Sequence, residues 1–145
     1  MTSLVPIGLH LSAEDDLVLK LGVYRHTADT AYLLGIDPPA GTTIEQDVAG
    51  LLEQWVQQLE RLTEGATAFL PYSFSDQCTA WLQVTTANGR RALVQVGWSS
   101  LEGYKINPSD YARKTLDDFD PTINAAIECD LSDLIATVKE NRDTL

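Results

Sequence analysis

The chain is poor in the side chains that most often carry chemistry. It has two histidines, His10 and His26, and two cysteines, Cys78 and Cys129. A zinc site wants Cys and His at short spacing, and these are scattered, so no metal is expected. The cysteines stand far apart; a disulfide is possible in principle, but two buried free thiols are the reading for a chain without a secretory signal. No signal is visible at the N-terminus, where Met1-Thr2-Ser3-Leu4-Val5-Pro6 lacks a basic stretch followed by an apolar block. A cytoplasmic location is the expectation. No apolar run approaches the roughly 18 residues that would cross a bilayer. Cations are scarce too: ten Lys and Arg stand against 21 Asp and Glu, a formal charge of −11. Such a surface repels nucleic acid and anionic membranes. It would steer a basic protein partner toward itself, although acidity also serves solubility alone.

Catalytic constellations are equally sparse. Cys78 with Asp76 and a histidine could be drawn as a triad, but no motif supports it. The acidic groups Glu14-Asp15-Asp16, Asp117-Asp118 with Asp120, and Asp130 with Asp133 sit where turns and caps favour Asp. Paired carboxylates do glycoside or metal chemistry only when a cleft sets their separation. Gly35 and Gly41 form no phosphate loop, and there is no GxSxG elbow. Arg90-Arg91 belongs to a hairpin turn. No catalytic residue, cofactor or metal ligand is therefore assigned.

The 145 residues suit one domain spanning 1–145. Val5, Ile7, Leu9 and Leu11 alternate with polar or small residues. After the polar stretch Ser12 to Asp16, Leu17, Leu19, Leu21 and Val23 share a face up to Tyr24. This is a β-hairpin, with Pro6 marking an edge strand. Ala31 to Ile36 reads as a short strand or a helical turn, before the breaker Asp37-Pro38-Pro39-Ala40-Gly41. Ile44, Val48, Leu51, Leu52, Trp55, Leu59 and Leu62 then recur at helical spacing. Thr42 or Thr43 caps this helix in capping-box spacing, and Gly65 closes it. Its outer face carries Glu45, Asp47, Glu53, Glu60 and Glu64.

A second hairpin joins Cys78–Thr86 to Arg91–Trp98 around Asn88-Gly89. With those two residues as turn centre, Trp81 pairs with Val96 and Gln83 with Val94. Both faces are apolar, as in central strands, and Ala66 to Phe69 adds a strand. Leu101 to Pro108 reads as a loop or short strand. Asn107 to Asp110 starts a turn or a helix reaching Leu116, and Asp117 to Pro121 is an acidic breaker. Leu131, Leu134, Ile135 and Val138 form a C-terminal helix behind the cap Asp130, fraying past Asn141. The class is α+β: an antiparallel or mixed sheet built from two hairpins, with one long amphipathic helix and a C-terminal helix packed on it. Two aromatic stretches, Phe69 to Asp76 and Trp98 to Tyr104, are either core or an anchor patch for a partner.

A long acidic helix leads here into a Trp-bearing strand (Ala80-Trp81-Leu82-Gln83), the Asn88-Gly89 turn, a second strand (Leu93-Val94-Gln95-Val96) and the loop Glu102-Gly103-Tyr104-Lys105-Ile106-Asn107-Pro108. This order resembles some immunity proteins of contact-dependent growth inhibition and related bacterial toxin systems, over about two thirds of the chain. The resemblance implies a non-enzymatic cytoplasmic protein that binds and neutralises one cognate toxin, often a nuclease. A basic toxin cleft would select the negative charge. Independently of the family, the candidate contacts are Glu45, Asp47, Glu53 and Glu60 on the helix, Asp117, Asp118 and Asp120 in the turn, and Tyr72, Asp76 and Tyr104 among the aromatics. The alternative is a small ligand-binding or enzymatic domain with a pocket near Tyr72, Asp76, Trp81, Trp98 and Tyr104. A structural subunit is a third reading.

Overall fold

The computed structural model describes residues 7–30, 33, 41–107 and 110–145. The expectations for Val5 and Pro6, for 31–40 apart from Leu33, and for Pro108-Ser109 lie outside the described residues. The architecture is α+β. Among the described residues it has two antiparallel sheets, of three and four strands. The first takes β1 (Ile7–Leu11), β2 (Leu17–Leu21) and β3 (Tyr24–Ala28) in sequence order. The second takes β4 (Thr67–Phe74), β5 (Thr79–Thr85), β6 (Arg91–Ser99) and β7 (Asp120–Asp130), also in order. Helix α1 (Ile44–Glu60) lies between the sheets in sequence, and α2 (Leu131–Thr144) ends the chain.

The first hairpin forms with Ile7 opposite Leu21, Leu9 opposite Leu19 and Leu11 opposite Leu17. It is followed by a turn the alternation does not reveal. Gly22, at φ 61, turns the chain, and Val23 is 96% exposed rather than sharing the face of Leu21. The expected single strand through Tyr24 is therefore two strands. Only glycine adopts that backbone region without cost.

In the second sheet β5 and β6 are central, as their two apolar faces require. Their register is one residue from the expected one: Leu82 lies opposite Val96, Val84 opposite Val94, and Trp81 opposite Gly97. A one-residue slip exchanges the faces. Val94 and Val96 thus share the inner face with Leu82 and Val84, not with Trp81. The cause is the turn. Instead of a two-residue loop centred on Asn88-Gly89, the Asn88 side chain accepts from the Arg90 and Arg91 amides, both at 2.9 Å, and Gly89 N donates to Thr86 Oγ1 at 2.9 Å. The Asx cap draws one more residue into the loop.

Strand β7 contains the end of the expected breaker, since Asp120 and Pro121 begin it. It is an edge strand, where a proline removes no needed donor. Its register with β6 shifts between Gln95 and Gly97. Gln95 Nε2 fills the irregularity by donating to the carbonyls of Val96 (2.7 Å), Thr122 (2.9 Å) and Ala125 (3.3 Å). Residues 111–116 are not helical. They run beside β4 and bridge it at Phe69, with Phe69 N donating to Arg113 O at 2.7 Å and Arg113 N returning to Phe69 O at 3.0 Å.

Helix α1 starts with the predicted capping box: Thr43 Oγ1 accepts from Gln46 N and Gln46 Oε1 from Thr43 N. It buries Val48, Leu51, Leu52, Trp55, Val56 and Leu59. It ends before Gly65, whose amide instead donates to Thr86 O at 2.8 Å, so Gly65 turns the chain into β4 rather than closing the helix. Trp55 Nε1 donates to Pro71 O at 3.0 Å and ties α1 to the edge of β4. Asp130 caps α2 through Ser132 N, and the helix continues to Thr144, past the expected fraying point. One cluster of buried side chains joins both sheets and both helices. Where the sheets meet, His26 Nδ1 lies 2.8 Å from Tyr72 Oη, and its ring sits 5.2 Å from that of Trp98. Burial lowers the pKa of His26 and raises that of Tyr72, so both are held neutral.

Candidate functional site

The groups expected at a partner surface are sorted by what the fold does with them. In the β4–β5 turn, Ser75 Oγ donates to Cys78 O at 3.0 Å and accepts from Gln77 N and Cys78 N, both at 3.3 Å, which leaves Asp76 at the exposed tip. A 3-10 turn (Gly103–Lys105) docks on this tip, where Gly103 N donates to Ser75 O at 2.7 Å. A Cβ at 103 would lie 2.7 Å from that same oxygen and 2.9 Å from Phe74 backbone atoms, so the approach requires glycine. On the docked turn, Glu102 accepts from Lys105 Nζ at 2.6 Å and from Tyr104 Oη at 3.1 Å. The lysine bond comes first in holding the Glu102 carboxyl below its usual range, while the same contact raises Lys105. Glu102 raises the Tyr104 phenol, with a smaller push from Asp76.

On the other side of this turn, Asp118 is tied to the end of β6. It accepts from Ser99 Oγ at 2.7 Å, Ser100 N at 2.8 Å and the Ser100 hydroxyl. The two serine hydroxyls come first in pulling its carboxyl down to about 2. An open groove of about 370 Å3 brings Glu102, Asp117 and Asp118 together, with Ser100, Leu101 and Arg113 on its walls. The fold thus assembles Asp76, Tyr104, Asp117 and Asp118 at one end of the second sheet. It adds Glu102, which sequence reading did not single out. Its i,i+3 spacing to Lys105 was legible, but not its neighbours from 117–118. Asp120, the first residue of β7, is exposed and opposite Trp98.

The acidic face of α1 is not uniform. Glu53 meets Arg142 and Glu60 meets Lys139 at 3.2 Å, so these two acids hold α2 rather than face solvent alone. Glu45 is exposed and lines a different groove with Asp15, His10 and Asn141. Asp47 is half-buried in the first helical turn, where a carboxylate suits the helix dipole. The aromatic expectation is corrected for Tyr72. It is fully buried, as is Trp81, whose Nε1 donates to Thr79 Oγ1 at 2.7 Å. Neither presents a surface to a partner or forms an open pocket wall. Trp98 is half-buried against His26.

Cys78 and Cys129 are free thiols; Cys129 is buried, but Cys78, in the β4–β5 turn, is only half-buried rather than buried as expected. Burial pushes Cys129 up to about 11, away from the nucleophilic thiolate. Among the described residues no group of three His, Cys, Asp or Glu could hold a metal, and no helix is long and apolar enough to cross a membrane. In comparisons with known proteins, no family model, curated protein or solved structure matches the chain.

Proposed function

We propose that the protein is a non-enzymatic, immunity-type binder of the cytoplasm that neutralises a cognate basic toxin, a nuclease being one such target. The observation that carries this reading is the gathering of Asp76, Glu102, Asp117 and Asp118 around one end of a chain whose net charge is −11. Fixed carboxylates beside a half-buried Tyr104 suit a cationic protein surface: the charges speed encounter, and the ring supplies contact area. The layout-level resemblance to immunity proteins points the same way. A ligand pocket among the aromatics is the weaker reading, since Tyr72 and Trp81 are core.

The test is co-expression with the product of the gene immediately upstream, followed by pull-down. Protection from toxicity and a stable complex are expected. The triple variant Asp76→Asn, Asp117→Asn, Asp120→Asn should bind at least about tenfold more weakly. Glu53→Gln with Glu60→Gln should bind nearly as wild type, because those acids face α2. A neighbour that encodes no toxin, or complex formation indifferent to the triple change, overturns the reading.

A further inference from the structure

The scarce cations are unevenly placed. Arg91, Lys105, Lys139 and Arg142 are held by carboxylates. Of the six remaining Lys and Arg, Arg61, Arg113 and Lys114 line one groove. The groove measures about 580 Å3, within the usual range for small-ligand sites. Its walls are the end of α1 (Gln58, Leu62), the start of β4 (Ala66 to Ala68) and the segment 110–114. Among the described residues, Asp110 is the one carboxylate in its lining. Acids outnumber bases about two to one over the whole chain, and here the balance is reversed.

The backbone adds a donor. The 111–116 segment bridges β4 only at Phe69, and the chain bends away after Arg113. Outward-facing peptide groups alternate along an antiparallel strand. Thr86 N bonds inward to Ala66 O, and Phe69 bonds outward to Arg113, so Thr67 turns its N–H to the groove side of β4. Arg61, Arg113, Lys114 and Gln58 line the groove together with this strand edge, from three segments of the chain. Guanidinium forks match the oxygen pairs of phosphate and carboxylate. Charges farther than about 8 Å are largely screened at physiological salt, while Asp110 in the groove and Asp117 and Asp118 across Arg113 work against anion binding.

We propose that this groove binds a small polyanion bearing phosphate or carboxylate groups. The groove shares Arg113 with the acidic groove beside it, and its remaining lining is its own, so the proposal does not depend on the toxin-binding reading. Calorimetric titration with pyrophosphate and, separately, with citrate tests it at about 0.05 M and 0.15 M salt. Saturable one-site binding of at least one of the two is expected, weaker at the higher salt. Arg61→Ala and Arg113→Ala should each weaken it roughly tenfold. Arg113 bridges β4 through its backbone, so alanine keeps that contact. Asp110→Asn should tighten binding, and Arg90→Ala and Lys20→Ala should leave it unchanged, with thermal melts verifying each fold. Pyrophosphate alone binding assigns phosphate chemistry, and citrate alone assigns carboxylate. No saturation of either below about 10 mM overturns the proposal. So does binding that is indifferent to Arg61 and Arg113, or equally weakened by the Arg90 and Lys20 variants.

Discussion

The same substitution at two glycines should move stability in opposite directions. Gly50 lies inside α1, exposed, with nothing within 4 Å of an added Cβ. Alanine there removes chain entropy from the unfolded state and should stabilise by about 1 kcal/mol. Gly103 is the reverse case, with backbone atoms of Ser75 and Phe74 at 2.7 and 2.9 Å from an added Cβ. Backbone cannot swing aside as a long side chain can, so alanine must push the 103–105 turn off the β4–β5 turn. Overpacking costs about 1–3 kcal/mol. Loss of the Gly103 N to Ser75 O bond adds about 1 kcal/mol. The sum, about 2–4 kcal/mol, corresponds to a fall in Tm of roughly 5–15 °C for a chain of this size. Thermal denaturation followed by circular dichroism reads both changes. A Gly103→Ala protein melting within about 2 °C of wild type would refute the close-approach argument. Because the turn carries Glu102 and Tyr104, the variant should also lose part of any partner affinity that survives at Gly50→Ala.

Trp55→Phe keeps most of the buried ring but leaves Pro71 O without its donor, and should destabilise by about 1–3 kcal/mol in urea titration; an unchanged midpoint would show that the bond contributes nothing. His26 titrates with a lowered pKa because of burial, so the unfolded state binds the proton first as pH falls. Stability should therefore drop as pH falls through about 6.5 and below, and this slope should flatten in His26→Gln; an identical slope in both proteins would place the effect elsewhere. Asp118 has the depressed carboxyl, so its contribution is present above the ordinary Asp range and is lost as pH falls toward about 2. It is exposed, so that contribution is no more than about 1 kcal/mol, and Asp118→Asn should narrow the acid-unfolding difference by that much and no more.

The candidate site was legible only as a set of residue types. Asp118 could be read as a turn acid, but the serines that hold it are 18 and 19 positions away. Glu53 and Glu60 fall on a polar helical face, which periodicity reports as solvent-facing. Their partners on α2 are 89 and 79 positions away, and turn that face into a seam between helices. The stretch holding Tyr72 reads in sequence as either core or an anchor patch, since Asp76 stands near it. The bulge between Pro71 and Ser73 and the contact with His26 place Tyr72 inside. The basic groove has no local signature in the sequence, because Arg61 and Arg113 come to one groove only across the start of β4.

What the sequence by itself determined was each element whose signal is local. Helix α1 was readable from its apolar stripe and the Thr43–Gln46 box, α2 from its Asp130 cap, and the first hairpin from alternation around the Ser12–Asp16 turn. These signals are local because helix and hairpin geometry is set by residues within a few positions of one another. The tertiary structure alone decided β7, whose Asn124-Ala125-Ala126 run has weak strand preference and becomes a strand by pairing with β6. It also decided the face that Trp81 occupies, because one residue in the Asn88 loop shifts the register and a period of two converts that shift into an exchange of faces. Which acids stay free for a partner follows from the same cause: pairing between distant segments is a property of the folded chain, and no short window of residues contains it.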